Sequence, residues 1–205
     1  MPMIVKVPSF AKSLYPSLIW DLPVDGEKCL YLTFDDGPIP ELTPWVLDVL
    51  EEYKVKATFF CVGDNVNKHA KIYSRILDEG HAVGNHTYNH VNGRKSNSSD
   101  YISNVESCAK VVESTLFRPP YGRMRYKQMK YLRNRFNVVM WDVLTFDFDK
   151  NTSPEQCLIN AQKATNGSIL VFHDNLKAAD NLKYALPRFI EWALEKGYSF
   201  RAITL

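Results

Sequence analysis

Short apolar runs alternate with amphipathic segments along most of the chain, and this pattern predicts strands that are each followed by a helix. The strand candidates are rich in β-branched and aromatic residues and end at turn residues; they are residues 29–34, 57–61, 81–84, 116–118, 138–141, 169–172 and 198–202. The helix candidates repeat apolar positions every three or four residues; they lie near 43–53, 70–79, 99–116, 126–134 and 153–167, with two pieces divided at Pro187. Alternation of this kind predicts an α/β fold with a parallel sheet covered by helices. Seven short, unevenly spaced strands favour a single-domain, distorted (β/α) barrel, either closed or incomplete.

Residues 1–27 have a different pattern, with prolines at positions 2, 8, 16 and 23. We expect an irregular lead-in that packs on a domain formed by residues 28–205. Pro8, Lys12 and Pro16 also interrupt the apolar centre that a signal peptide needs. The chain as given is therefore expected to be cytoplasmic, although a mature chain whose leader has been removed also fits.

Composition narrows the class of protein. The chain has 205 residues, 45% of them hydrophobic, and a formal net charge of +2, which is typical of a globular protein and gives no argument for nucleic-acid binding. No apolar run reaches the length of a membrane span. The four cysteines form no CxxC pair, so we predict that they are reduced core residues; they are Cys29, Cys61, Cys108 and Cys157. The sequence leaves the oligomeric state open.

Polar residues able to do chemistry follow five of the predicted strands. They are Asp35, Asp36, His86, His90, Arg118, Tyr121, Asp142, Asp147, His173 and Asp174. Barrels and open α/β sheets gather their functional residues at the carboxyl ends of the strands. We therefore expect these side chains to meet at one rim.

Asp35 and Asp36 end the first strand and are followed by Gly37-Pro38. Asp, Gly and Pro also form ordinary surface turns. Two carboxylates within a few ångströms repel each other, so that one would be forced to keep its proton. A bound cation removes that conflict, because one Asp can ligate it while the other remains free to move a proton.

His86 and His90 lie four residues apart, a spacing at which both can reach one metal ion. Together with Asp36 they supply two imidazoles and one carboxylate, a set that suits zinc or another divalent first-row metal. The same set holds Fe(II) in some oxygenases, which usually have an antiparallel double sheet. His69 and His81 have no such neighbours and are interpreted as surface or packing residues.

Arg118 opens a loop, Arg118-Pro119-Pro120-Tyr121, whose two prolines restrict the backbone. The Arg is either an ordinary surface residue or the fixed partner of a carboxylate, for which Asp35 is the candidate. His173 emerges from an apolar strand. It is either bonded to a backbone carbonyl at the edge of the core or a general acid, since its ordinary pKa lies near neutrality.

The motifs together resemble a known family. Thr33-Phe34-Asp35-Asp36-Gly37-Pro38, His86-Thr87-x-x-His90, Arg118-Pro119-Pro120-Tyr121 and Phe172-His173-Asp174 are similar, in this order, to those of the NodB-type polysaccharide deacetylases of carbohydrate esterase family 4. The resemblance covers about residues 28–204. It implies a distorted (β/α) barrel that removes N- or O-acetyl groups from an acetylated carbohydrate such as chitin, chito-oligosaccharide, peptidoglycan or xylan.

The resemblance also implies roles for individual residues. Asp35 would be the general base, and Arg118 would hold it in place. Asp36, His86 and His90 would ligate one divalent ion, which in the family is zinc or a similar metal such as cobalt, nickel, manganese or iron.

Three further roles follow from the same resemblance. Tyr121 would offer its backbone N–H to the oxyanion of the tetrahedral intermediate. His173 would be the general acid, and Asp147 would support it.

The chain departs from the family in the segment around Asp147. The family often has Asp-x-x-Asp-Trp there, whereas this chain has Leu144 and Phe148 at the first and last of these positions. Val171 replaces the usual Leu two residues before His173. These changes affect the expected acetyl-group pocket, and two alternatives therefore stay open: a deacylase of a non-sugar amide, and a glycan-binding protein that has lost catalysis.

Overall fold

The structure, a computed structural model, describes residues 4–205, so Pro2 of the predicted lead-in lies outside the described residues. All strand pairs are parallel, and seven strands follow the order β5-β4-β3-β2-β1-β7-β6 while β8 pairs with the start of β1. The strands are β1 Cys29–Asp35, β2 Thr58–Cys61, β3 Ala82–Asn85, β4 Leu116–Phe117, β5 Asn137–Val138, β6 Val143–Leu144, β7 Ile169–His173 and β8 Ser199–Phe200. The sheet curls into an incomplete barrel within a single α/β domain, which confirms the predicted fold class.

The helices surround this sheet. They are α1 Ser9–Ser13, α2 Thr43–Glu52, α3 Gly63–Lys68, α4 Ala70–Asp78, α5 Ser98–Ala109, α6 Tyr126–Leu132, α7 Pro154–Ala161 and α8 Ala179–Glu195, with a 3₁₀ turn at Pro120–Gly122. Within residues 4–205, none of the helices combines the length and apolar character that crossing a membrane requires.

Strand β1 is the centre of the core, and all seven of its residues are buried. Phe34 stacks between Phe59 of β2, at 5.0 Å between ring centroids, and Phe172 of β7, at 6.2 Å. A strand buried on both faces needs apolar residues at successive positions, which explains the continuous apolar run before Asp35.

Several predicted element boundaries were wrong. The N-cap of α5 is Asn97, whose side chain accepts from the Asp100 N–H, and not Ser99. Helix α7 does begin after the Ser153 cap, but it ends at Ala161 and not near Gly167. The periodicity also gave no indication of α3 or of the two-residue strand β6.

Pro187 was predicted to divide two helices, yet it lies inside the continuous helix α8. A proline inside a helix removes one backbone hydrogen bond. Leu186, Phe189 and Ile190 are fully buried around it, so packing of the apolar face holds the helix together across the missing bond.

The lead-in contains the short helix α1, so it is not wholly irregular. It pairs with both edges of the open barrel. Ile19 forms a parallel bridge with Val139 beside β5, and Lys6 forms an antiparallel bridge with Val143 of β6. The lead-in thus covers the two edges that the incomplete barrel leaves unpaired by other strands.

The cysteines behave as predicted. All four are free and buried, and they are Cys29, Cys61, Cys108 and Cys157. His81 also packs in the core, where its Nδ1 accepts from the Ala57 N–H at 3.2 Å and burial lowers its pKa to about 4.

Candidate active site

The register of the parallel strands brings the predicted polar residues to one rim. Asp35 at the end of β1 lies beside His173 of β7 on one side and Phe60 of β2 on the other. On the next strands, Asn85 of β3 lies beside Phe117 of β4. The residues that follow these positions, such as His86 and Arg118, therefore leave the sheet at the same level.

Asp36, His86 and His90 come together at this rim, and one ligand atom from each lies within 4.8 Å of the others. The Nε2 atom of His90 is 2.9 Å from Asp36 Oδ1, and that of His86 is 3.6 Å from the same oxygen. Asp36 and His90 have left-handed backbone conformations, with φ of 88° and 53°. Non-glycine residues seldom adopt these angles, and such strain tends to concentrate at functional sites.

The donor atoms of this triad fit a bound cation. The His86 Nδ1 lies 2.8 Å from the Arg118 carbonyl oxygen, which can only accept, so the proton belongs on Nδ1 and the Nε2 lone pair of the neutral ring faces the triad. Asp36 Oδ1 is buried and has no hydrogen bond from residues 4–205, although His90 approaches it. Electron-pair donors that face one another around a buried orphan oxygen are the arrangement that a divalent metal satisfies.

The electrostatics of Asp36 agree with this arrangement. Burial alone would raise its pKa, but His86 and His90, when their Nε2 atoms carry protons and donate to the carboxylate, and the charge of His173 hold the pKa well below its usual range. The carboxylate is therefore ionised and able to ligate.

Two asparagines that the sequence analysis missed support Asp36. Asn175 Nδ2 donates to Asp36 Oδ2 at 2.5 Å, and Asn65 Nδ2 donates to the Asp36 carbonyl at 2.8 Å. The first bond leaves Oδ1 as the oxygen that faces the histidines. Asn175 lies two residues after His173, at the end of β7, and this position is the one signal that could have identified it from the sequence.

Arg118 is fully buried, and its Nη1 donates to Asp35 Oδ1 at 2.6 Å. The guanidinium does not form a two-pronged contact with that carboxylate. Its Nε and Nη2 donate to the carbonyls of Val139 and Met140, and it lies 4.0 Å from the centroid of the Phe60 ring. Burial lowers the pKa of Arg118 while Asp35 opposes that shift, and the result is a fixed buried ion pair. The other oxygen of Asp35, Oδ2, lies 4.0 Å from His86 Nε2.

His173 is held by Asp147 through two hydrogen bonds. The ring Nδ1 lies 2.8 Å from Asp147 Oδ1, and the backbone N–H donates to Oδ2 at 2.6 Å. Burial alone would lower the pKa of His173, but Asp147 first, and then Asp36 and Asp35, raise the pKa to about 9. The Phe148 ring packs edge-on against the imidazole at 4.8 Å between centroids.

Tyr121 lies on the 3₁₀ turn with a φ of 62°, and its exposed ring packs edge-on against His90 at 4.8 Å. The N–H groups of Gly122 and Arg123 donate to the carbonyls of Pro119 and Pro120, so the loop backbone is fixed. Gly122 has a φ of 62°, and a Cβ there would come within 2.4 Å of the Trp141 ring, so any other residue would strain the turn and displace that ring.

An open groove of about 850 Å³ lies over this rim, and the site residues that line it include Asp35, Asp36, His86, His90, Tyr121, His173 and Asn175. Its walls include Trp141, Leu144, Phe148 and Val171, so the positions at which the sequence departs from the family face the groove.

Asp142 and Asp174, which the strand-end argument also marked, have different surroundings. Asp142 pairs with Lys12 at 2.6 Å and lies among the residues that fix the lead-in. Asp174 is fully buried behind the rim, where it accepts from the Gly37 N–H at 2.9 Å and from the Thr43 hydroxyl at 2.6 Å. Burial raises the pKa of Asp174 to about 8.

Comparison with known proteins identifies relatives of the whole chain. Residues 23–140 match the family model described as polysaccharide deacetylase. A peptidoglycan-N-acetylglucosamine deacetylase of Bacillus cereus is 31% identical over 203 residues, which cover 94% of this chain and 95% of that protein. The solved structure of the Bc1960 peptidoglycan N-acetylglucosamine deacetylase superposes with a TM-score of 0.82 and 31% identity over 96% of this chain and 95% of the other.

Other relatives are longer or differ in activity. The match to PgdA of Listeria monocytogenes, a peptidoglycan-N-acetylglucosamine deacetylase, is 31% identical and covers 85% of this chain but 36% of that protein. BA3943 of Bacillus anthracis, described as a pseudoenzyme of the CE4 family, has a TM-score of 0.78 and 27% identity over 94% of this chain and 69% of the other. The fold alone therefore does not establish catalysis, which has to be judged from the residues of the rim.

Proposed function

The chain belongs to the polysaccharide deacetylase family, and we propose that it is a metal-dependent hydrolase that removes acetyl groups from a glycan. The observation that carries the proposal is the buried Asp36 oxygen without a hydrogen-bond partner among residues 4–205, which faces His86 and His90 in a groove that also holds Asp35 and His173. Relatives described as peptidoglycan deacetylases support an N-acetylated glycan as the first substrate to test. Chito-oligosaccharide and acetylated xylan follow from other relatives.

Asp36, His86 and His90 would hold one divalent ion, for which zinc is the first candidate and cobalt, nickel, manganese and iron are alternatives. Such an ion, when bound, lowers the pKa of a water molecule and polarises a carbonyl group. The bonds from His86 Nδ1 to the Arg118 carbonyl and from Asn175 to Asp36 would fix the orientation of two of the three ligands.

Asp35 is the proposed general base. Its Oδ1 is held by Arg118, while Oδ2 is directed toward His86 and the groove. Oδ2 would accept the proton of the attacking water. Since Arg118 fixes the carboxylate from the buried side, Asp35 is oriented before substrate arrives.

Tyr121 and His173 are proposed to stabilise the oxyanion and to protonate the leaving group. The backbone N–H of Tyr121, on its fixed turn, would donate to the oxyanion. His173 in its protonated form would give a proton to the departing amine or alcohol, and Asp147 would keep the ring charged and oriented.

The type of sheet, the family and the positions of the rim residues also bear on the alternative functions. The Fe(II) oxygenases that use this ligand set usually have an antiparallel double sheet. The parallel sheet and the family of this chain argue against that function. A glycan-binding protein without catalysis has no need for a positioned base and acid, yet Asp35, Arg118 and His173 are all in place. A deacylase of a non-sugar amide would use the same residues, so only the choice of substrate distinguishes it from the proposed activity.

The test is the release of acetate from a panel of substrates by metal-loaded protein. The panel comprises tetraacetyl-chitotetraose, peptidoglycan fragments, acetylated xylan and small acetamides. We expect release from at least one glycan and little from the small amides. In the variant His173→Ala, turnover of an amide should fall further than that of an activated ester, because a good leaving group needs less protonation. Binding of every glycan without release of acetate would instead favour the non-catalytic alternative.

A further inference from the structure

A second cavity, of about 640 Å³, lies beside the groove of the candidate active site. Gly122 lines both cavities, so they adjoin at the turn that carries Tyr121. None of the proposed catalytic or metal-binding residues lines the second cavity. We call it the lead-in cavity, because Tyr15, Leu18 and Trp20 of the lead-in form one of its walls.

Three aromatic side chains line the lead-in cavity, Tyr15, Trp20 and Tyr126. Tyr126 is 71% exposed and Tyr15 is 49% exposed, while Trp20 is half-buried and donates its indole N–H to the Tyr15 carbonyl at 3.3 Å. Large apolar rings with polar tips are costly to leave in water and suit ligands that have both an apolar face and hydroxyl groups. A pyranose ring has this character, because its C–H groups form one flat face.

The charged residues of the lead-in cavity are both cationic. Arg94 and Arg125 line it, and no carboxylate does among the described residues. The Nε and Nη2 atoms of Arg125 donate to the Arg94 carbonyl at 3.3 and 3.0 Å, which fixes the guanidinium plane. Arginine recognises carboxylates well, and a fixed guanidinium loses less conformational entropy on binding.

The walls of the lead-in cavity are held in place before any ligand binds. Gln128 donates to the Gly93 carbonyl at 2.9 Å and accepts from the Arg125 N–H at 2.7 Å, so the loop before Arg94 is tied to α6. On the opposite wall, the Ile19 N–H donates to the Val138 carbonyl, and the Met140 N–H donates to the Ile19 carbonyl. The cavity is thus a preformed site of the kind that small ligands occupy.

We infer that the lead-in cavity is a binding subsite for a second sugar of the substrate chain, and that it favours a sugar bearing a carboxylate. The inference rests on the proposed function, since it takes the occupant of the neighbouring groove to be a glycan. Continuity at Gly122 places this sugar along the same chain as the acetylated one. A glycan whose muramic acid residues have free lactyl carboxylates, as in a peptidoglycan strand without its stem peptides, therefore binds better than neutral chitin.

Calorimetric titration at low ionic strength tests this subsite. The protein is first treated with a chelator to prevent turnover. The probes are a tetrasaccharide of alternating N-acetylglucosamine and N-acetylmuramic acid, and tetraacetyl-chitotetraose. We expect Tyr126→Ala to weaken binding of both glycans by about five- to tenfold. The double variant Arg94→Gln, Arg125→Gln should weaken binding of the muramic acid glycan alone, by about fivefold. The matched controls are Tyr131→Ala and Arg133→Gln, exposed residues near the end of α6 that do not line the cavity.

Each outcome decides the matter. Unchanged affinities in Tyr126→Ala and in the double arginine variant overturn the subsite, and equal losses on both glycans in the double variant overturn its preference for a carboxylate. Acetate release by untreated wild-type protein separates the two proposals. If wild-type protein deacetylates the tetrasaccharide while the cavity variants bind it normally, only the subsite fails. If wild-type protein neither binds nor deacetylates either glycan, the subsite fails, and the proposed function fails with it when acetylated xylan also releases no acetate.

Discussion

Asp36 and Asp142 have the same local signal in the sequence, an aspartate at a predicted strand end, yet the structure gives them opposite surroundings. Both oxygens of Asp142 have partners: Lys12 lies 2.6 Å from Oδ1, while Lys6, at 3.6 Å, and the Ser168 hydroxyl contact Oδ2. At Asp36, Oδ1 has no hydrogen bond from residues 4–205 and faces two imidazoles.

The difference separates a structural carboxylate from one available for chemistry. Removing one member of a buried, fully paired charge cluster destabilises the contact that the cluster lies in, here the contact between the lead-in and the barrel. A buried carboxylate oxygen left without a hydrogen-bond partner has a cost, and proteins keep such groups where a ligand or an ion completes them. The substitution of Asn for Asp at each position should therefore have opposite consequences.

The largest effect is expected for Asp36→Asn. We expect the purified variant to retain no divalent metal and to release acetate at the background rate, because an amide ligates a divalent ion far more weakly than a carboxylate. Metal content by mass spectrometry and acetate release measure this. Denaturant unfolding of the metal-free proteins is the control and should show no loss of stability. Normal metal content in this variant would contradict the assignment.

Asp35→Asn should lower kcat by about 10²- to 10⁴-fold while leaving the metal content at the wild-type level, since the change removes a base and not a ligand. Steady-state acetate release and metal analysis on the same sample give both numbers. Arg118 loses its carboxylate partner in this variant, so circular dichroism has to establish that the protein is folded. Full turnover in a folded variant would remove Asp35 from the mechanism.

Asn175→Ala should weaken metal binding by about 10- to 100-fold, because it removes the hydrogen bond that orients Asp36. Competition with a chromogenic chelator gives the affinity. Asn134→Ala, at an exposed position after α6, is the matched control and should bind metal as the wild type does. An unchanged affinity in Asn175→Ala would show that Asp36 needs no such support.

Asp147→Asn should move the alkaline limb of the kcat/KM profile to lower pH. The proposed acid is protonated His173, so activity is present below its pKa and is lost as pH rises through it. Asp147 raises the pKa of His173, and burial alone would lower it, so loss of the carboxylate lowers the pKa. Profiles of the metal-loaded proteins on one amide substrate measure the shift. An alkaline limb at an unchanged pH would assign that limb to another group.

The smallest effect on activity is expected for Asp142→Asn. Metal content and kcat should stay at wild-type levels, while the free energy of unfolding falls by about 2 kcal/mol, because the bonds of Lys12 and Ser168 to the buried Asp142 lose their charge while Asp21 still pairs with Lys12. Denaturant unfolding at neutral pH measures the loss. A large fall in kcat with unchanged stability would mean that Asp142 belongs to the catalytic rim.

The sequence could predict which residues strand ends bring together, and it could not predict a contact with a partner that is distant along the chain. Asp36, His86 and His90 could be predicted to meet, because parallel strands of matched register end at the same level. The structural role of Asp142 could not, because Lys12 lies 130 residues away in a segment without periodicity. Local patterns contain no information about such pairings.

The absence of long-range information in local patterns also explains the elements that were assigned wrongly. Pro187 predicts a break from local chemistry alone, but burial of the surrounding face of α8 outweighs the lost hydrogen bond. Strand β6 has two residues and follows β5 without a helix between them, so it gives no periodic signal. The support of Asp36 by Asn65 likewise depends on the position of α3, which the pattern did not predict.

Titration of zinc into chelator-treated wild-type protein, with acetate release followed on the most active glycan, tests the central claim most directly. We predict that activity rises in proportion to bound zinc and saturates at one ion per chain. Under the same conditions, His90→Ala should neither bind the ion nor release acetate. Full acetate release from protein that contains no metal would contradict the account.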